Sequence, residues 1–389
     1  MRIVLFTGKG GVGKTTVAAA TAAHAAAAGL RTVVCSTDAA HSLADVFRTP
    51  LDDRPRPVGE RLDALQVDAR RRLEEVWGDV HEYLVSLLDW AGADSIEAEE
   101  LAVLPGLEEV FALAEIRALA DSGEHDLVVV DCAPTAETLR LLSLPDVLAW
   151  YMDRVFPAQR NVTRAVRPLL ARMVSMPVAG DRVFAAVRRF YDRIDGVRDL
   201  LSDGAVTSAR LVVNPEQLVV AEARRTYSYL ALFGYHCDAV IANRILPDHV
   251  DAPFFDAWKQ VHAEQLRTIE DAFSPTPVLR AELAPYEVVG IDRLADLGAS
   301  IYGSLDPAAC LCDVDPYRVD AVGEALVLSL PLPHVSRDEL ELGRADAELY
   351  LAVGPYRRAM VLPESLRRRE VGGARFAGDR LEVEFVEAR

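Results

Sequence analysis

Lysine is nearly absent from this chain. Among 389 residues only Lys9, Lys14 and Lys259 are lysines, and arginine supplies the rest of the positive charge. Basic residues are also outnumbered, giving a formal net charge of −18. That balance disfavours nonspecific nucleic-acid binding and attraction to anionic membranes. Cysteine is sparse, and the five present (Cys35, Cys132, Cys237, Cys310, Cys312) form an odd set. Such a set suits a reducing cytoplasm better than a disulfide framework. Long apolar runs are missing as well. The Ala-rich stretch 17–30 is too short and too weakly apolar to span a bilayer, so no direct membrane insertion is expected. A strand begins at once at the N-terminus, so no signal peptide is expected. The guanine-reading N-K-x-D pattern is not found; Asn243-Arg244-Ile245-Leu246 departs from it. No internal duplication is visible.

The placement of the few lysines is the first positive signal. Two fall in Gly8-Lys9-Gly10-Gly11-Val12-Gly13-Lys14-Thr15-Thr16. An apolar strand precedes this stretch and a helix-forming one follows, the context a phosphate-binding loop requires. Glycines let backbone N–H groups turn around a β-phosphate, and the helix N-terminus adds partial positive charge. Lys14 is expected to reach the β- and γ-phosphates, and Thr15 to offer its hydroxyl to Mg²⁺. A compact ammonium suits this task better than a planar guanidinium.

Two carboxylates stand at the carboxyl ends of predicted strands. Asp38, after the second strand, can orient a water for in-line attack on a γ-phosphate. Asp131, after the fourth predicted strand, reads as a Walker-B carboxylate holding a water of the Mg²⁺ shell. Such positions, at the carboxyl ends of strands, are where open α/β sheets bind ligands.

Short β-branched runs at 3–7, 32–36, 65–67, 127–131, 211–213, 239–242 and 278–281 alternate with helical stretches. Several are continuously apolar, as strands buried on both faces should be. The fold class expected is α/β, a doubly wound and mostly parallel sheet. It spans 1–305, with helical insertions at about 73–120 and 148–201. A linker follows at 306–316. Alternating, turn-bounded strands without helices then predict an all-β sandwich domain over 317–389.

The second lysine in the loop, Lys9, completes the deviant K-G-G-x-G-K-[ST] pattern. The chain therefore resembles the P-loop ATPases of the SIMIBI type that include the arsenite-pump ATPase, the tail-anchored-protein-targeting ATPase and the partition ATPases. Asp38-x-Ala40-His41-Ser42-Leu43 and Asp131-x-Ala133-Pro134-Thr135-x-x-Thr138-Leu139-Arg140-Leu141-Leu142 narrow the likeness to the first two. Weaker matches are Leu104-Pro105-Gly106-Leu107, Asn214-Pro215-Glu216, Asn243-Arg244-Ile245-Leu246-Pro247 and Glu287-Val288-Val289-Gly290. The resemblance implies ATP and Mg²⁺ as cofactors and a homodimer in which Lys9 crosses to the partner's nucleotide. It implies Asp38 as the catalytic aspartate, Asn243 at the adenine, and Glu216 near the dimer's nucleotide site. Leu330-Pro331-Leu332-Pro333, Val353-Gly354-Pro355-Tyr356 and Leu381-Glu382-Val383-Glu384-Phe385 resemble the α-crystallin-like domain of small heat-shock proteins.

Departures from the family pattern are specific. Ala136-Glu137 stands where the family often has Gly-His. Cys310-x-Cys312 is one residue short of the C-x-x-C pair that shares zinc across some dimers; a coincidental pair in a linker is the preferred reading. The metalloid-binding cysteine triad of the arsenite pump is not expected. Two uses of the ATPase are implied. One is a cycle of opening and closing on a hydrophobic-helix protein client, held by apolar residues of the insertions such as Leu84, Leu88, Phe111, Leu113, Met152, Leu170 and Met173. The other is the energising subunit of an anion pump with a membrane-protein partner.

Overall fold

A computed structural model describes residues 1–38, 42–67, 85–86, 107–133, 135, 138, 181–194, 196–312, 317–323, 325–345 and 347–387. Eight strands build the main sheet: β1 (Arg2–Thr7), β2 (Thr32–Ser36), β3 (Arg56–Gly59), β4 (Leu62–Gln66), β5 (Leu127–Asp131), β6 (Thr207–Val213), β7 (Cys237–Ile245) and β8 (Val278–Glu282). Their order is β3-β4-β2-β5-β1-β6-β7-β8. All neighbours run parallel except β3, which pairs antiparallel with β4 at the edge. The doubly wound α/β expectation therefore holds.

The topology places the site. Strands β2 to β5 lie on one side of β1 and β6 to β8 on the other, so chain order reverses at β1. At such a reversal the loops at the strands' carboxyl ends part and leave a crevice for a ligand. β2 and β5 are buried at every residue, which is why both read as unbroken apolar runs.

Helix α1 (Lys14–Ala27) follows the first strand, and short α2 (Ser42–Phe47) follows the second. Ten of the fourteen α1 residues are buried, most of them alanines, because the helix packs closely between sheet and neighbouring helix. Residues 67–122 and 140–198 form a compact unit of their own. Within it α3 (Leu107–Ser122) and α4 (Asp181–Ile194) are described. Phe111 and Leu113, expected among client-facing residues, are buried. Leu84, Leu88, Met152, Leu170 and Met173 lie outside the described residues.

The remaining helices are α5 (Val197–Ser202), α6 (Gln217–Phe233), α7 (Pro253–Phe273) and α8 (Ile291–Tyr302). After α8 the chain is pinned to the sheet by a buried ion pair. The Arg210 guanidinium donates to Asp238 Oδ1 at 3.0 Å, the Tyr302 hydroxyl at 2.9 Å, Pro307 O at 2.9 Å and Ala309 O at 3.0 Å. Leu311 N donates to Asp238 Oδ2 at 3.2 Å. A buried charge pair is tolerable when its hydrogen-bonding capacity is filled in this way.

The C-terminal strands are β9 (Arg318–Val322), β10 (Ala325–Pro331), β11 (Leu340–Ala345), β12 (Glu348–Val353), β13 (Tyr356–Val361), β14 (Arg369–Ala377) and β15 (Arg380–Glu387), with a helical turn α9 (Glu364–Arg367). They form a four-stranded sheet, β14-β15-β10-β9, and a three-stranded sheet, β11-β12-β13, both antiparallel. Leu328, Leu330, Leu349, Leu351, Met360, Leu381, Val383 and Phe385 fill the core between them, and Leu232 of α6 joins the same cluster.

Candidate nucleotide site

Three loops meet at the carboxyl ends of β1, β2 and β5. The loop after β1 is shaped by glycine. Gly8, Gly11 and Gly13 hold φ of 148°, 83° and 93°, conformations that side chains disfavour. A Cβ on Gly8 would lie 2.3 Å from Val212 O, and one on Gly13 would lie 2.5 Å from Asn243 Nδ2. Gly13 also starts α1, without a side-chain cap and with no acidic residue in the first turn. The helix's positive end is therefore left for an anion.

β6 and β7 brace this loop from the other side. Asn243 Nδ2 donates to Val12 O at 2.8 Å, and Arg244 Nη1 donates to Gly11 O at 3.0 Å. With its amide oriented to donate, Asn214 reaches Val12 O at 3.2 Å and Asn243 O at 3.3 Å. Arg244 takes a left-handed backbone, φ 58°, a strain found where surrounding structure over-determines a functional residue. Asn243, placed by resemblance at an adenine, is buried against the loop through this contact.

Both loop lysines are positioned. Lys14 is buried, and its Nζ donates to Lys9 O at 3.4 Å. Lys9 Nζ lies 3.4 Å from Glu222 Oε2 on α6. Glu216 is the N-cap of that helix and is exposed.

The acidic side of the site is Asp131. It is 1% exposed, and its Oδ2 accepts from Ser36 Oγ at 3.1 Å. Its Oδ1 is buried with no hydrogen-bond partner. Burial pushes this carboxyl up to about 6, against the Thr15 hydrogen bond, the Lys14 charge and the Ser36 hydrogen bond; the Asp38 charge adds to the rise. An unpartnered carboxylate oxygen with a threonine hydroxyl and an ammonium nearby forms a donor set that fits Mg²⁺ with a polyphosphate. Thr15 would ligate the metal and Asp131 would hold one of its waters.

The two aspartate loops are stitched together by threonine. Thr37 N donates to Asp131 O at 2.9 Å, and Ala133 N donates to Thr37 Oγ1 at 3.3 Å. Asp38 N donates to Ser36 Oγ at 3.3 Å. Thr138 Oγ1 donates to Ala133 O at 2.6 Å. The structure thus gathers Gly8 to Thr16, Asp38 and Asp131 at one end of the sheet, with Asn243 beneath. Residues 39–41, Pro134, Ala136, Glu137 and 139–142 of these motifs lie outside the described residues. Sequence reasoning gave no role to Ser36, Thr37 or Glu222. Ser36 and Thr37 flank a motif and could have been noticed; Glu222 has no local signal.

Cys35, Cys132 and Cys237 are buried, and burial pushes the Cys132 thiol up to about 12. Cys310 Sγ lies 3.5 Å from His236 Nε2, while the Cys312 thiol donates to Pro275 O at 3.9 Å. Among the described residues no group of three or more His, Cys, Asp or Glu could hold a metal ion. No helix among them is long and apolar enough to cross a membrane.

Comparison with known proteins agrees with this geometry. Residues 1–303 match the family model described as anion-transporting ATPase, and residues 323–385 match the HSP20-like domain found in that family. The chain is 35% identical over 391 residues to a putative arsenical pump-driving ATPase 1 of Aquifex aeolicus, covering 98% of this chain and 99% of the relative. It is 35% identical over 388 residues to a putative arsenical pump-driving ATPase of Prosthecochloris vibrioformis, covering 99% and 96%. A more distant relative, 25% identical over 304 residues, is the ATPase ASNA1 homolog 1 of Paramecium tetraurelia, covering 76% and 90%.

Proposed function

Because the chain belongs to the anion-transporting ATPase family, we propose that it hydrolyses MgATP as a cytoplasmic homodimer and uses the cycle to handle a hydrophobic protein client. The observation that carries the catalytic part is Asp131, buried and half unpartnered beside Thr15, Lys14 and Asp38. Lys14 and the loop N–H groups bind the β- and γ-phosphates. Mg²⁺ supplies charge neutralisation across those phosphates when bound. Thr15 and Asp131 orient its shell. Asp38 orients the attacking water, and Thr37 holds the Asp38 and Asp131 loops in register. Lys9, at the mouth of the loop, suits a role toward a partner subunit's nucleotide.

Client handling rests on the targeting-ATPase likeness of the motifs, the ASNA1 homolog among the relatives and the HSP20-like domain. An anion-pump role is the second reading, favoured by the printed names of the two arsenical pump-driving relatives. One experiment separates them. ATPase activity of the full chain is followed on dilution and during titration with As(III) or Sb(III), and proteins co-purifying with it are identified. Activity that falls on dilution, ignores metalloid and accompanies a co-purified apolar-helix protein supports the first reading. Strong metalloid stimulation supports the second. A fully active monomer defeats the dimer.

A further inference from the structure

The contact between Lys9 and Glu222 joins two parts of the chain that otherwise have separate tasks. Lys9 Nζ lies 3.4 Å from Glu222 Oε2, and the two side chains are 40% and 29% exposed. The pair is thus sheltered but within reach of a second molecule. A carboxylate beside an anion-binding loop repels an incoming polyphosphate unless a cation neutralises it. Lys9 is one of three lysines in the chain. Its flexible stem and compact charge suit an ammonium that exchanges partners better than a guanidinium fork would.

Both ends of the pair are built on fixed backbone. The Lys9 carbonyl accepts from Lys14 Nζ at 3.4 Å, which ties the Lys9 backbone to the start of α1. Glu222 projects from α6, whose Val219, Val220, Ala223, Thr226 and Leu230 are buried. The C-terminal half of the same helix is held by the β-sandwich domain. Ser228 Oγ donates to Pro333 O, Arg358 Nη1 donates to Leu232 O at 2.6 Å, and the Tyr229 ring lies tilted against that of Tyr356 with centroids 4.5 Å apart. The backbone under Glu222 is thus ordered before the pair forms, and only the two side chains lose freedom on pairing.

We infer that Glu222 is a positioning residue: it holds Lys9 against its own subunit and so sets how readily that lysine leaves for the nucleotide of a second copy of the chain. The inference rests on the dimer reading proposed above. In leaving, Lys9 exchanges one carboxylate for a denser polyphosphate anion. An exposed ion pair shifts such an equilibrium by about fivefold at most, so the restraint is weak enough to be released in every cycle.

The test measures specific ATPase activity of the full chain against protein concentration, at low and high salt. Wild type, Glu222→Gln, Glu222→Asp and Lys9→Ala are compared, with thermal melts as a check on folding. Glu222→Gln is expected to reach half-maximal specific activity at about fivefold lower protein concentration and with a flatter salt dependence. Glu222→Asp, charged but one methylene shorter, is expected to fall between it and wild type. If either variant is unfolded, the other carries the test. An unshifted concentration profile, or loss of turnover at saturating protein as in Lys9→Ala, overturns the inference. If Lys9→Ala itself behaves as wild type, the dimer reading fails and this inference falls with it.

Discussion

Asp131 shows how one buried residue reports on the whole site. Burial raises its carboxyl from the ordinary 3.8 to about 6. Ionising it inside the protein therefore costs about 3 kcal/mol more than in water. Between those two values the folded chain keeps a proton that the unfolded chain has lost. Stability accordingly falls as pH rises from about 4 to about 6, and the loss is complete above that range. Holding a water of the Mg²⁺ shell at the unpartnered oxygen would require the ionised carboxylate. MgATP affinity is therefore expected to rise between pH 5 and pH 7, and this step to vanish in Asp131→Asn. Calorimetric titrations at several pH values check it; equal wild-type affinities at pH 5 and 7 would refute it. The residues of this site were legible in sequence where one motif carried them: Lys9, Lys14, Thr15, Asp38 and Asp131 follow apolar strands at fixed offsets. Glu222 and the grip of Asn243 and Arg244 on Val12 and Gly11 were not. Those contacts join residues far apart in the chain, and no local pattern encodes them.

At the scale of elements, burial decides what sequence reveals. β1, β2 and β5 carry unbroken apolar runs at 3–6, 33–35 and 127–130 because both of their faces are buried, whereas fully buried β6 keeps Thr207, Ser208 and Arg210 and is continuously apolar only at 211–213. β3, β9 and β14 escaped reading for physical reasons. β3 is a short antiparallel edge strand containing Pro57. β9 is an exposed edge with little apolar alternation. β14 carries Gly372 and Gly373 at a register shift between Val371 and Gly373. The junction of β1 and α1 is the element most exposed to a single change. Gly13→Ala would place a methyl 2.5 Å from Asn243 Nδ2 on a backbone at φ 93°. A cost of about 1–3 kcal/mol is expected, since the left-handed conformation and the close neighbour both oppose it. Nucleotide affinity should drop at least about tenfold, because the loop must move to relieve the contact. Equilibrium binding of a fluorescent ATP analogue with a parallel thermal melt measures both; wild-type affinity in that variant would show that the loop adapts freely.

For the whole molecule, the C-terminal domain and the ATPase sheet share helix α6. Val219, Val220 and Ala223 on that helix are buried, while Leu232 completes the hydrophobic cluster of the β-sandwich. Deleting residues 317–389 leaves every loop of the site in place but uncovers Leu232 and Tyr229. The truncated chain is expected to hydrolyse ATP, to self-associate through the uncovered face, and to protect an apolar-helix client less well. Light scattering and phosphate release measure this; a folded, monomeric truncation without turnover would make the domain part of the catalytic assembly. The class of each domain was legible from strand periodicity, whereas the shared helix was not, because its second apolar face serves strands more than a hundred residues later. The central claim is that this molecule is an ATPase whose water-positioning group is Asp38, held by Thr37 and Ser36 beside Asp131. The most direct test measures MgATP binding and phosphate release side by side for wild type and Asp38→Asn. Binding within about threefold of wild type with turnover reduced at least about 100-fold is the expected result, equivalent to about 3 kcal/mol in the barrier. Near wild-type turnover in Asp38→Asn, with Mg²⁺ dependence intact, would contradict it.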